Sequence, residues 1–183
     1  IHDETSQVPG SFDEAIRGLN NAIEEGIEVA TNTVISSINY KNLEDTIDAL
    51  KDFRLKHIGF NVSGPCITGT NGYMLSPRVA IAAFEKAYEY AKSKGIQTKL
   101  STPVPLCNFS QEHADEFVRG GTTWGGPCQI FNGGNFVIDY NGDIVPCTHL
   151  TGFPLFNVFK DGGIMGRDEF IEMYNSDFAK TFR

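Results

Sequence analysis

The chain has no run of about eighteen apolar residues, so no membrane-spanning helix is expected. Its first residues, Ile1-His2-Asp3-Glu4, are polar and acidic where a secretion signal would turn apolar. No initiator Met is present, and a fragment or a processed chain is expected. Cysteine is scarce. Cys66, Cys107, Cys128 and Cys147 are well separated, which argues against a disulfide framework and for reduced cytoplasmic thiols or metal ligands. Positive charge is also short, with 15 Lys and Arg against 23 Asp and Glu, a net charge of −8. Such a surface repels a phosphate backbone, so nucleic acid is not an expected partner. The glycines between Gly120 and Gly134 lack the strand–Gly-x-Gly-x-x-Gly–helix order of a dinucleotide site. A Ser/His/Asp hydrolase elbow is missing too.

The remaining composition, 40% hydrophobic and 21% charged, is that of a globular protein of one domain or one and a half. Ser11 with Glu14 three residues on reads as a capping box opening a helix whose apolar side is Ala15, Leu19, Ala22 and Ile23. Gly26 ends it, and residues 27–35, rich in β-branched side chains, read as a strand. The pattern recurs: a helix over 43–56, a strand over 57–62, a helix from Ser76-Pro77 to Lys94, and a strand over 96–101. Three helix-then-strand units predict a parallel sheet with packed helices, too few to close an eight-stranded barrel.

Beyond Pro103 the alternation stops, and a domain boundary is expected there, giving domains of 1–103 and 104–183. Residues 135–145 carry Asn141-Gly142 between two apolar runs, the signal of a hairpin with a type I′ turn. A helix is predicted over 167–174 and another from Asp177. Cys128 and Cys147 flank the hairpin, with thirteen residues between Cys128 and Gly142 and four between Gly142 and Cys147. Cys107 follows the last predicted parallel strand. Three thiolates near loops and hairpin ends can converge on one metal, and thiolate donors select zinc or an iron–sulfur cluster.

The spacing Cys–thirteen–Gly–four–Cys, with Phe136-Val137-Ile138-Asp139-Tyr140-Asn141-Gly142-Asp143-Ile144-Val145-Pro146-Cys147 around it, resembles the opening of the SPASM or twitch auxiliary domain of radical S-adenosylmethionine (SAM) enzymes. Phe156-Asn157-Val158 is similar to that family's Gly-Asn-hydrophobic step, with Phe in place of Gly. His2-Asp3 followed by Pro9-Gly10-Ser11-Phe12 resembles the segment after the fourth barrel strand, and residues 31–39 the fifth strand and its loop. The resemblance implies the last βα units of a partial (β/α)6 TIM-like barrel followed by the start of the auxiliary domain. It implies an auxiliary [4Fe-4S] cluster held in part by Cys107, Cys128 and Cys147. SAM would lie against Val34, Ile35, Ser36 and Asn39 and against Phe60, Asn61 and Val62, mainly through backbone. The implied substrate is a peptide or protein side chain, modified by 5′-deoxyadenosyl radical chemistry in ribosomal peptide or sulfatase-type maturation.

Two departures stand out. Ser6 occupies a position where many relatives carry an Arg proposed to hold the SAM carboxylate, and Cys-x-x-x-Cys-x-x-Cys, which would hold the SAM-cleaving cluster, is absent. The expectation is a piece of a longer enzyme, inactive alone. The competing class is a non-catalytic α/β module with a structural Cys₃His zinc site completed by His149. Of the other polar residues, Asp3 and His2 suit turn capping and Asp139 a turn. His57, His113, Asp115 and Glu116 read as solvated. Cys66 reads as a structural thiol, and Trp124 has no assigned role.

Overall fold

A computed structural model describes residues 1–64, 71–122 and 136–181. Among these the chain is mixed α/β, with small sheets and no closed barrel. Two units form. The first contains residues 1–64 and 72–122 and therefore runs past residue 103; the second is described over 136–181.

In the first unit the order is α1 (His2–Ser6), α2 (Ser11–Glu24), β1 (Thr31–Ile35), α3 (Leu43–Leu50), β2 (Ile58–Val62), α4 (Pro77–Ser93), β3 (Thr98–Leu100) and α5 (Gln111–Gly120). The strands are parallel in the order β1-β2-β3, with Thr31 beside Ile58 and Ile58 beside Thr98. Period-2 alternation puts Ile35, Ile58, Phe60 and Leu100 on one face, all essentially inaccessible. They pack against Leu43, Ile47 and Leu50 of α3 and Ile81, Phe84, Ala87 and Ala91 of α4. The opposite face carries Asn32, Val34, Asn61 and Lys99, exposed or half-buried. Phe84 sits at the centre, edge-on to Phe60 at 5.7 Å and to Phe117 of α5 at 5.5 Å. Burial of Phe109 and Phe117 against this cluster joins α5 to the first unit. No helix among the described residues is long and apolar enough to cross a membrane.

Several boundaries differ from the sequence expectation, each for a physical reason. β1 starts at Thr31, not Ile27, and β3 at Thr98, not Ile96. The Ile27 and Ile96 amides donate back to Ala22 and Ala91, completing Schellman closures of α2 and α4 around Gly26 and Gly95. Helix α3 stops at Leu50, not Lys56, because Phe53 turns back onto the core and the Lys56 amide pairs with the Val29 carbonyl. The Ser11–Glu14 capping box does not form. Asp3 caps α2 instead, accepting from the amides of Gly10 (2.6 Å) and Phe12 (2.8 Å) and from the Ser11 hydroxyl (3.0 Å). Those backbone hydrogen bonds, Phe12 first and then Gly10, lower the Asp3 pKa. A depressed carboxyl stabilises the fold above its unfolded pKa and loses that contribution as pH falls through the folded value. Amide exchange at Gly10 and Phe12 is thus expected to accelerate as pH drops below about 4, once corrected for intrinsic rates. It is expected to be fast at all pH values in Asp3→Ala.

In the second unit, β4 (Val137–Ile138), β5 (Asp143–Val145) and β6 (Phe156–Asn157) form an antiparallel sheet in that order, and β7 (Phe159–Lys160) pairs with β8 (Gly163–Ile164). Helices α6 (Arg167–Tyr174) and α7 (Asp177–Lys180) follow. Phe136, Phe156, Phe170 and Tyr174 make one aromatic cluster with ring centroids 5.2 to 5.9 Å apart. Ile144 and Val145 are fully buried.

The β4–β5 turn is a hairpin, but not of type I′. That type needs positive φ at both Asn141 and Gly142, and only Gly142 has it, at 84°. Asp139 decides the geometry. Its carboxylate accepts from the amides of Asn141 (2.8 Å) and Asp143 (3.0 Å), while its carbonyl accepts from the Gly142 amide (3.0 Å). This is a turn over 139–142 that ends in a left-handed glycine.

Candidate functional site

Parallel strands end on one edge, where open α/β sheets place their ligands. Here that edge is built from Ser36 and Asn39 after β1, Asn61 and Val62 at the end of β2, and Thr102 after β3. The Asn39 carboxamide accepts from the Ser36 amide (2.9 Å) and donates to the Val34 carbonyl (2.8 Å), fixing the loop after β1. Thr102 accepts from the Val62 amide (2.8 Å) and donates to the Asn61 carboxamide (3.3 Å), tying β2 to the loop after β3. Val34 is half exposed. The side chains of Ile35 and Phe60 are sealed in the core, and their carbonyls accept from the amides of Ser63 and Ser101. The polar side chains on this edge thus fall into two hydrogen-bonded pairs, Ser36–Asn39 and Asn61–Thr102. Thr102 was missed; its position just past the third strand was the available signal.

Cys107 is exposed in a 3₁₀ turn, Leu106–Asn108, and belongs to the first unit. Cys147 is half-buried where the chain leaves β5 and belongs to the second. Both are free thiols. The Cys147 sulfur accepts from the amide of His149 (3.5 Å) and lies 3.9 Å from the Thr148 hydroxyl. The sulfur thus caps the Thr148–Leu150 turn, receiving the kind of N–H···S bond that tunes cluster thiolates. His149 is exposed. Asn157, downstream of Cys147, braces the hairpin, donating to the Asn141 carbonyl (3.0 Å) and the Asp143 carboxylate (2.8 Å). Cys66, Trp124, Cys128 and the glycines of residues 125–134 lie outside the described residues.

Two histidines expected in solvent are not there. His57, half-buried just before β2, has its Nδ1 buried with no hydrogen-bond partner among the described residues; burial first, then the charges of Lys99 and Lys56, lowers its pKa. His113, in the first turn of α5, has a side chain only 12% exposed and lies between Glu85 and Glu89 of α4. Glu116, also expected in solvent, accepts from Lys92 and from the Tyr88 hydroxyl, each at 2.6 Å. The Lys92 ammonium, then the Tyr88 hydroxyl, lowers the Glu116 pKa. Donor atoms of Glu89, His113 and Glu116 lie within 4.8 Å of one another. Because Lys92 and Tyr88 engage Glu116 and the imidazole bonds to carboxylates, the group is an interhelical charge network closed on itself. Helical spacing puts Glu85, Tyr88, Glu89 and Lys92 on one side of α4, which was the sequence signal; the pairing with α5 was not legible.

No protein-family model, no curated protein and no solved structure matches this chain.

Proposed function

We propose that this chain is part of a radical SAM enzyme with a SPASM-type auxiliary domain that modifies a peptide or protein side chain. In this reading the parallel sheet, with α3 and α4 on one face and a more polar opposite face, is the later wall of a partial (β/α)6 barrel. The hairpin unit opens the auxiliary domain. The observation that carries the proposal is the path of the chain into Cys147. Asp139 and left-handed Gly142 set the turn, Asn157 braces it, and β5 delivers a free thiol whose sulfur already accepts a backbone N–H.

Cys107, Cys128 and Cys147 would hold the auxiliary [4Fe-4S] cluster; soft thiolate donors suit iron–sulfur chemistry. A cluster so placed supplies electron transfer or an open iron for substrate. SAM would meet the carboxyl edge, where Val34 is open. There the Ser36–Asn39 and Asn61–Thr102 pairs hold the backbone of residues 34–36 and 60–62 in place. Orientation of substrate and nucleoside is the protein's share of such chemistry. Ribosomal peptide maturation is the leading activity, with sulfatase-type maturation next.

Exposed His149, two residues from Cys147, favours a second reading: a Cys₃His zinc site in a non-catalytic, partner-binding module. Anaerobic reconstitution with iron and sulfide separates the two. The broad visible absorption of a cluster is expected in the native chain and lost in Cys128→Ala and Cys147→Ala, with His149→Ala unaffected. Tight zinc binding that needs His149, with no cluster absorption, contradicts the proposal.

A further inference from the structure

His113 links α4 and α5 through ring contacts and through polar contacts at both ring nitrogens. Its ring lies parallel to that of Phe117 at 4.9 Å and edge-on to Tyr88 at 5.7 Å, which fixes its plane. In that plane Nε2 is 2.9 Å from a Glu89 carboxylate oxygen, and Nδ1 is 3.2 Å from Glu85 and 3.0 Å from the Ser110 hydroxyl. The same Glu85 oxygen accepts from the Ser110 amide at 2.7 Å. Ser110 also caps α5, and the Cys107 turn ends two residues before it. The charged and titratable groups around the imidazole are Glu85, Tyr88, Glu89 and Lys92 from α4 and Glu116 from α5 itself.

Ionised carboxylates only accept hydrogen bonds, so bonding to Glu85 and Glu89 together needs both ring nitrogens to carry a proton. A neutral imidazole donates once, to Glu89; its Nδ1 then accepts from the Ser110 hydroxyl and the bond to Glu85 is lost. Fastening of the first turn of α5 to both carboxylates therefore takes up a proton. We propose that His113 is a proton-operated clasp that fastens this turn, and with it the turn carrying Cys107, onto α4.

Burial opposes the charged ring, but the hydrogen bonds to Glu89 and Glu85, and their charges, outweigh it, so the net shift of the His113 pKa is upward. A raised folded pKa gives stability fully present below the unfolded value, about 6.5 for histidine, and lost as pH rises through the folded value. Fully buried Phe117 holds the later turns of α5 in place, so opening is confined to the helix start and the segment before it. The clasp does not depend on the cluster assignment.

The test is a pH series of NMR spectra and amide exchange on the full chain, with exchange at residues 108–114 taken relative to α3, which cancels base catalysis. His113 is expected to titrate above about 6.5, and the relative exchange of residues 108–114 to rise about tenfold through that midpoint. Tenfold is the size expected for losing one charge-assisted hydrogen bond. In His113→Gln the pH dependence is expected to vanish. Glu89→Gln, at a half-exposed position, keeps the fold intact and is expected to lower the midpoint. A His113 midpoint at or below the ordinary value overturns the clasp. So does relative exchange that is flat with pH, unmoved by Glu89→Gln, or still pH-dependent in His113→Gln.

Discussion

Replacing Gly142 by Ala is expected to destabilise the hairpin unit by roughly 2–5 kcal/mol. Gly142 has φ of 84°, where a Cβ costs about 1–2 kcal/mol. A Cβ there would also lie 2.5 Å from two ring carbons of Phe159 and 3.1 Å from the Val158 side chain. Overpacking of that kind adds about 1–3 kcal/mol. The Phe159 ring is 56% exposed and can yield, so the backbone and steric parts are separable. Gly142→Ala combined with Phe159→Ala is expected to retain the backbone part and the lesser Val158 contact relative to Phe159→Ala alone. Urea unfolding, followed by NMR signals of residues 136–181, reads the effect. A loss below about 0.5 kcal/mol in Gly142→Ala contradicts the turn geometry on which delivery of Cys147 depends.

Phe84→Ala is expected to cost the first unit about 3–5 kcal/mol, the range for emptying a buried aromatic site. Phe84 is inaccessible and meets β2 through Phe60, α5 through Phe117 and its own helix through Tyr88. The cavity would open where sheet, α4 and α5 converge, and none of these can close it without losing its other contacts. Val79→Ala, on the same helix but 42% exposed, is expected to cost under about 0.5 kcal/mol. Urea midpoints of the two variants decide the matter. Similar small losses in both contradict a core centred on Phe84.

What the sequence disclosed follows from the range of each signal. Helix α4 was legible at both ends because Ser76, Pro77 and Gly95 act on their immediate neighbours, with the Ser76 hydroxyl accepting from the Val79 amide. The three parallel strands were legible from their apolar, β-branched runs. Their first residues were not, because Ile27 and Ile96 satisfy the strand pattern while their amides close the preceding helices. Capping of α2 by Asp3 reaches across eight residues and displaces a local Ser–Glu box that the sequence presents more plainly. Asn141-Gly142 announced a hairpin correctly, but the Asp139 side chain chose its turn. At the candidate site, the place of Cys147 at the exit of β5 and of Ser36–Asn39 in the loop after β1 was readable from position alone. The environments of His57 and His113 were not: burial of the one and the carboxylates around the other come from elements that are distant in sequence.

The direct test of the cluster proposal is the metal content of the chain purified without oxygen from iron-replete cells, measured together with acid-labile sulfide. A [4Fe-4S] centre requires iron and sulfide in equal amounts, both lost in Cys147→Ala. Zinc without sulfide, retained in a folded chain and dependent on His149, contradicts it.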